Sequence, residues 1–149
     1  MKTMKKILMS TDFSELSSAA VEYTKSLTAR YRAKLFVIHV IDDLPALPMH
    51  TTDLTSDRVV EDAQLRAKKE LKTFIASRLK GLKGVTQVVR MGEPDKEIVG
   101  FANKQKVDLI VLATHGRTGL AHALLGSVAE KVVRHSTVPV LTIKPANMQ

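Results

Sequence analysis

A short stretch near the end of the sequence has the residue types and spacing that bind phosphate groups. Gly116 is followed after nine residues by Gly126, and Ser127 comes next, at the start of a predicted helix. Glycine lets a phosphate approach the backbone, and a helix N-terminus presents free N–H groups with a partial positive charge. A hydroxyl there can donate to a phosphate oxygen. One prediction is therefore an anion-binding loop that leads into a helix.

The same residues have a purely structural alternative. Residues 127–130 read Ser-Val-Ala-Glu, the pattern of a capping box, which needs no ligand. Gly116 and Gly119 allow a tight turn, and Arg117 is either a solvated loop charge or a partner for phosphate. The sequence lacks both the Gly-Lys-Ser/Thr of a Walker A loop and the Gly-x-Gly-x-x-Gly of a dinucleotide site. Those two classes of nucleotide site are therefore disfavoured.

Histidines offer little catalytic chemistry. His115 lies in the same loop, but the sequence gives it no partner that would orient it as an acid or a base. His39 lies in an apolar segment, and we interpret it as a hydrogen-bonded histidine of the core. His50, His122 and His135 lack the spacing of metal ligands. No catalytic residue and no dedicated metal site are predicted.

The elements that position this loop follow from five short apolar segments rich in β-branched residues. Most are continuously apolar, which is typical of strands buried on both faces of a parallel sheet. The segments cover residues 7–9, 35–41, 85–91, 109–113 and 138–143. Helical patterns fill the gaps between them, so strands and helices alternate. We expect an α/β fold in which an open, parallel, five-stranded sheet carries helices on both faces, as one domain over residues 1–149.

Apolar stripes define the helices. Ser14 is the expected N-cap of the first helix, and Pro94 opens the third at its first position. The stripe of the first helix consists of Leu16, Ala20, Tyr23, Leu27 and Tyr31. That of the second consists of Val60, Ala63, Ala67, Leu71 and Phe74. That of the fourth consists of Leu125, Val128, Ala129, Val132 and Val133.

Composition excludes several classes of protein. Of the 149 residues, 44% are hydrophobic and 26% are charged, which suits a globular chain and excludes a wholly disordered one. No apolar run approaches the roughly 20 residues of a membrane-spanning helix. Cysteine is absent, which excludes disulfide scaffolds and thiol catalysis. We expect a cytoplasmic protein that does not enter the membrane.

The positive charge raises the question of nucleic acid. The chain has 23 Lys and Arg against 15 Asp and Glu, a net charge of +8. However, it has only two Tyr and four Phe and no Trp, so bases would find few stacking partners. The densest cationic stretch, residues 66–83, has helical spacing and suits a solvated helix face. Nucleic acid is therefore not an expected partner.

Segments along most of the chain resemble the universal stress protein (UspA) family. The family's nucleotide-binding members carry the pattern Gly-x2-Gly-x9-Gly-Ser/Thr, whose second half is matched by Gly116, Gly126 and Ser127. Other similar segments are Thr-Asp-Phe-Ser at 11–14, His-Val-Ile-Asp at 39–42, Gly-Glu-Pro at 92–94 and Val-Pro-Val at 138–140. The chain departs from the pattern at its first glycine, where Ala113 adds a methyl group beside the implied ligand.

The resemblance implies a Rossmann-like sheet with strand order 3-2-1-4-5 and a stress-response regulator that binds ATP, with Mg²⁺ accompanying the phosphates. It also implies a homodimer formed through the fifth strand, and a downstream protein partner that the sequence does not identify. Because of Ala113, a second interpretation remains: a stress-response dimer that binds no nucleotide and acts through protein contacts. Slow ATP hydrolysis or phosphotransfer is a third interpretation.

The resemblance also implies a role for individual residues of the ATP site. Asp12 would hold the ribose hydroxyls, the Val40 backbone would contact adenine, and Met91 would border the base. The residues implied around the phosphates and the rest of the ligand are Thr11, Ala113, His115, Gly116, Arg117, Gly126, Ser127 and Val128. Without the resemblance, Asp12 is interpreted as an N-terminal cap or a dipole partner of the first helix, and Val40 and Met91 as core residues.

Overall fold

A computed structural model of the protein describes residues 3–42, 53–117, 122 and 124–146. Gly119 and His50 lie outside this part. The described strands are β1 (Lys6–Ser10), β2 (Lys34–Ile41), β3 (Thr86–Met91), β4 (Leu109–Ala113) and β5 (Val140–Ile143). The described helices are α1 (Val21–Tyr31), α2 (Asp53–Arg78), α3 (Pro94–Gln105) and α4 (Ser127–His135), and a 3₁₀ turn at Ser17–Ala20 precedes α1. The five predicted strands are confirmed.

The strands form one parallel sheet in the order β3-β2-β1-β4-β5, which confirms the expected order. The central strand is β1, where Ile7 aligns with Leu35 of β2 on one side and with Leu109 of β4 on the other. The chain winds outward from β1 to β3 and then returns across the sheet to β4. The carboxyl ends of β1 and β4 therefore border the topological switch point, where open α/β sheets bind ligands.

Each face of the sheet is covered by helices, so the strands are apolar on both sides. On one face, Leu8, Phe36 and Ile110 pack with Ile98 of α3 and Val132 of α4. The other face is packed separately, and its core includes Ile7, Val37, Val111, Val21 of α1, and Leu71 and Phe74 of α2. Two buried faces explain why the strand segments are continuously apolar rather than alternating.

Proline and glycine mark the ends of two helices. Pro94 occupies the first position of α3, after an extended Glu93. Proline favours this position because it lacks an N–H and has a fixed φ. After α2, Gly81 and Gly84 adopt positive φ angles of 93° and 71°, which glycine tolerates best. These residues turn the chain back towards β3.

Tyr23 belongs to the predicted apolar stripe of the first helix but is 56% exposed, while Thr24 and Thr28 are buried. The buried residues of α1 are Val21, Thr24 and Thr28, each one position after a residue of the predicted stripe. Thr24 tolerates burial because its hydroxyl donates to the Ala20 carbonyl over 2.8 Å. In α4, Val133 is likewise 44% exposed rather than buried.

Candidate functional site

A cleft of about 290 Å³ opens at the carboxyl ends of β1, β2 and β4. It is lined by all of the predicted site residues except Met91, namely Thr11, Asp12, Val40, Ala113, His115, Gly116, Arg117, Gly126, Ser127 and Val128. Met91 ends β3, where it aligns with Ile41. Because β3 is the outer strand beyond β2, its carboxyl end lies away from the switch point.

One wall of the cleft is apolar and belongs to the face of the sheet covered by α3 and α4. It includes Val40 and Leu112 at the ends of β2 and β4, together with Ile98, Val128 and Ala129 from the two helices. Opposite this wall lie polar groups from the loops after β1 and β4. Such a combination suits a ligand with a flat apolar part and polar substituents.

Asp12 follows β1, and both of its carboxylate oxygens accept hydrogen bonds. Oδ1 accepts the backbone N–H of Ser14 at 3.0 Å and its hydroxyl at 2.6 Å. Oδ2 accepts the backbone N–H of Arg117 at 2.7 Å. The guanidinium Nε of Arg117 returns a bond to the Asp12 carbonyl at 3.2 Å. Asp12 therefore joins the β1–α1 loop to the β4–α4 loop.

These bonds determine the charge of Asp12. Burial acts to raise the pKa of the carboxyl, but the hydrogen bonds from Ser14, Arg117 and Ser17 outweigh it and hold the pKa below its ordinary value. The group is therefore ionised at neutral pH and can only accept hydrogen bonds. Oδ2 receives one of the described bonds and Oδ1 receives two, so Oδ2 has the greater remaining capacity for a ligand hydroxyl.

Ser14 is not the N-cap of α1 that the sequence predicted. It bonds to the 3₁₀ turn that precedes α1. Its hydroxyl oxygen accepts the N–H of Ser17 at 3.1 Å. The same hydroxyl donates its hydrogen to Oδ1 of Asp12. Ser17 is buried, and its hydroxyl lies 3.1 Å from that of Thr11. The loop after β1 is thus held by a continuous network of short polar side chains.

The two motif glycines are needed for contacts between protein segments. A Cβ atom at Gly116 would overlap Oδ2 of Asp12, and a Cβ atom at Gly126 would lie 2.9 Å from the Thr114 carbonyl oxygen. Gly126 also donates its N–H to that oxygen at 2.6 Å. Its φ of −66° and ψ of 161° suit any residue, so space rather than conformation requires glycine there.

Ser127 is the first residue of α4, and the capping-box interpretation is wrong. The N-cap is Gly126, which has no side chain that could cap the helix, and its carbonyl accepts the N–H of Glu130 at 2.9 Å. The Glu130 carboxylate pairs with Arg134 instead. The exposed Ser127 and the following Val128 line the cleft, so the first turn of α4 faces the ligand space.

His115 has a partner that the sequence did not reveal. It is 4% exposed, and its Nδ1 lies 2.8 Å from the Thr114 hydroxyl. A hydroxyl orients the ring without adding the charge that a carboxylate would supply to an acid or base. These contacts favour a structural role.

Several cleft residues were not predicted, namely Ser10, Ser17, His39, Asp42, Pro94, Ile98, Leu112, Thr114 and Ala129. Most adjoin a predicted residue at a strand end, so the strand ends themselves were the available signal.

His39 is buried, as expected, and its Nδ1 lies 3.0 Å from the Thr11 carbonyl oxygen. Burial lowers the His39 pKa, and the bond to Thr11 opposes that effect only in part. The imidazole is therefore neutral.

No group of three or more His, Asp or Glu side chains among the described residues could hold a metal ion. None of the described helices is both long and apolar enough to cross a membrane.

Known proteins resemble this chain along most of its length. A sequence profile described as the universal stress protein family matches residues 3–144. Universal stress protein MJ0531 of Methanocaldococcus jannaschii is 38% identical over 143 residues, covering 94% of this chain and 82% of its own. Universal stress protein MJ0577 of the same organism is 32% identical, with 96% of each chain covered.

Solved structures share the fold. The MJ0577 structure has a TM-score of 0.84 and 31% identity, and covers 98% of this chain and 99% of its own. A universal stress protein solved in complex with cAMP has a TM-score of 0.60 and 26% identity, with 95% and 98% covered. The family profile spans nearly the whole length of the chain, and relatives match the chain in sequence and in fold. The chain therefore belongs to the universal stress protein family.

Proposed function

We propose that this protein binds ATP in the cleft after β1, β2 and β4 and acts as a nucleotide-dependent regulator of a stress response in the cytoplasm. The observation that carries the proposal is the meeting of an apolar wall, an ionised Asp12 and the first turn of α4 around one cleft. A relative solved in complex with cAMP supports the choice of an adenine nucleotide.

The cleft offers a separate environment to each part of ATP. Adenine would lie against the apolar wall near Val40, and Asp12 Oδ2 would accept from a ribose hydroxyl. The phosphates would approach Gly126, Ser127 and the Val128 N–H, where the helix N-terminus favours negative charge. Met91 has no part in this arrangement. Since Mg²⁺ often keeps water ligands and binds chiefly through substrate phosphates, the phosphate oxygens would be its main ligands.

Calorimetric titration with ATP and GTP tests this function. We expect ATP to bind more tightly, because the base would meet backbone groups near Val40 that match the edge of adenine. Mass spectrometry of small molecules released on denaturing freshly purified protein is the companion measurement, and an adenine nucleotide is the expected product. No affinity for either nucleotide would contradict the proposal, and equal affinities would remove the adenine preference.

Ala113 supports a second candidate, a stress-response protein that binds no nucleotide and acts through protein contacts. Ala113 lines the cleft and is 9% exposed, so its methyl group takes space at the strand end. The same titration separates the two candidates. ATP hydrolysis comes third, because the Nδ1 of His115 lies against the Thr114 hydroxyl, a neutral group that adds no charge to the ring.

We also propose that two copies associate through β5, which is an edge of the sheet. An edge strand leaves backbone N–H and C=O groups unpaired and invites pairing with an identical strand. The Pro139 and Ile143 carbonyls bond to β4, so the alternate residues Val140 and Thr142 direct their backbone groups outward. A two-fold pairing of these groups would join the two sheets.

A further inference from the structure

The imidazole of His39 contacts the residues on both sides of Asp12. Its Nδ1 lies 3.0 Å from the carbonyl oxygen of Thr11, the residue before Asp12. Its ring stacks on Phe13, the residue after Asp12, with ring centroids 4.2 Å apart and planes inclined by 28°. One buried side chain of β2 thus holds the β1–α1 loop at two points that flank the carboxylate.

The backbone at Phe13 needs such support. Its φ of 66° lies in the left-handed region, which a bulky residue adopts only when its surroundings impose it. The Phe13 N–H donates to the Thr11 hydroxyl at 3.0 Å, and its ring also lies 6.1 Å from that of Phe74 in α2. The turn that presents Asp12 is therefore strained, and the stack on His39 helps to retain it.

We propose that His39 is a positioning residue, which holds the turn at Asp12 so that the carboxylate keeps its hydrogen bonds and meets the ribose of a nucleotide. The ribose part of this inference rests on the proposed ATP binding. Although His39 contributes to the lining of the cleft, the contacts of its ring that carry the argument are with the loop. It acts on a ligand through Asp12.

The hydrogen bond and the stack are separable. The Thr11 carbonyl can only accept, so Nδ1 must carry the proton, and the neutral ring is the Nδ1–H tautomer. His39→Asn keeps an amide donor near the position of Nδ1 but loses the ring. His39→Phe keeps a ring against Phe13 but loses the donor. If both contacts position the loop, each variant should hold Asp12 in place only in part, and neither should hold it as well as His39 does.

The first readout needs no ligand. In the wild type, NMR titration of the Asp12 carboxyl should give a pKa below the ordinary value, because Ser14 and Arg117 donate to it. In both His39 variants the turn relaxes, these bonds lengthen, and the Asp12 pKa should rise. Val37→Ala is the matched control, since Val37 is fully buried on the same strand and face, two residues earlier. It should lower stability and leave the Asp12 pKa unchanged.

The second readout compares ATP with 2′,3′-dideoxy-ATP, which lacks both ribose hydroxyls. The His39 variants should lose about tenfold or more in ATP affinity, the effect of one hydrogen bond to a charged group. They should lose little for the dideoxy analogue. Val37→Ala should change both affinities by the same factor, as any loss of stability alone would.

The two readouts separate the failure of this inference from that of the proposed function. An unchanged Asp12 pKa in folded His39→Phe and His39→Asn proteins overturns the positioning role, whatever the ligand. If the wild type binds neither nucleotide while the Asp12 pKa rises in both variants, the positioning of Asp12 stands and ATP binding fails. Equal losses for ATP and its dideoxy analogue overturn the link to the ribose.

Discussion

The backbone N–H of Arg117 donates to Oδ2 of Asp12 over 2.7 Å, across 105 positions of sequence. This bond brings the loops after the first and fourth strands together at the switch point of the sheet. The carboxylate proposed to hold the ribose is thus also the group that assembles the cleft. Its two roles predict coupled effects on stability and binding.

Replacing Asp12 by asparagine should destabilise the fold. The amide offers one oxygen where the carboxylate offered two, so its NH₂ group faces a donor at either Ser14 or Arg117. For this half-buried site we expect a loss of about 1–2 kcal/mol at neutral pH, measured by urea unfolding. Asp62→Asn, on the exposed surface of α2, is the control and should change stability by less than about 0.5 kcal/mol.

The same variant predicts a pH dependence. Because the Asp12 pKa is lower in the folded protein than in the unfolded chain, its stabilisation is present above the unfolded pKa, about 4. It is lost as the pH falls through the folded value. The difference in unfolding free energy between wild type and Asp12→Asn should therefore shrink below about pH 4. A difference that is constant from pH 7 to acid would contradict the assignment.

Two glycine substitutions should have opposite effects. At Gly116 an added Cβ would overlap Oδ2 of Asp12, so Gly116→Ala should lower stability by about 1–3 kcal/mol and weaken ATP binding. Gly100 lies within α3 with nothing near an added Cβ. Gly100→Ala should therefore raise stability by about 0.5–1 kcal/mol. Thermal unfolding of both proteins measures the contrast, and a neutral Gly116→Ala would refute the close contact.

Ser127→Ala should affect the ligand rather than the fold. Since Gly126 is the N-cap, removing the Ser127 hydroxyl should change stability by less than about 0.5 kcal/mol. If the hydroxyl donates to a phosphate, ATP affinity should fall roughly 10- to 150-fold. Adenosine, which has no phosphates, serves as the control and should bind as before. Unchanged ATP affinity would remove Ser127 from the phosphate site.

Ala113→Gly restores the family pattern at the end of β4. We expect tighter ATP binding, because the methyl group that lines the cleft is removed. Glycine in a strand should also reduce stability by about 0.5–1 kcal/mol. Calorimetry and thermal unfolding measure the two effects. Weaker ATP binding in the folded variant would show that the methyl group contacts the ligand favourably.

Association through β5 can be tested by removing one outward N–H group. Thr142→Pro deletes an N–H that points away from β4, which an edge strand tolerates within its own sheet. Light scattering should give a dimer for the wild type and a monomer for Thr142→Pro. Thr142→Val keeps the N–H and should stay dimeric. A wild type that is monomeric at micromolar concentration would exclude this association.

The sequence predicted the strands well because burial on both faces leaves a continuous apolar signature, as in Leu109–Ala113. Patterns were less informative about the helices. The buried side of the first helix includes Thr24, whose hydroxyl bonds to the helix backbone and gives no apolar signal, and Tyr23 is exposed instead. The start of α4 fell one residue away from the position that a capping box requires. The strand order came from the family resemblance rather than from local patterns.

The site was predictable as a set of strand ends but not as a network. Residues such as Asp12 and Ser127 follow strands or open helices, so their positions along the chain indicated the cleft. Contacts such as Asp12 with Arg117 join distant segments, and no local spacing encodes them. The need for glycine at 126 likewise depends on the Thr114 carbonyl, which only the folded chain reveals.

The central position of β1 has a consequence for the order of folding. Its partner β2 follows closely in sequence, whereas the bonds from Lys5 and Lys6 to Asp108 beside β4 span 103 and 102 residues. During synthesis the edge of β1 that pairs with β4 therefore stays unpaired until most of the chain has been made. Loops of this length close slowly, and an unpaired apolar strand is a point of self-association. We therefore expect the nascent chain to be most prone to aggregation just before β4 emerges, and the cleft to form only after that step.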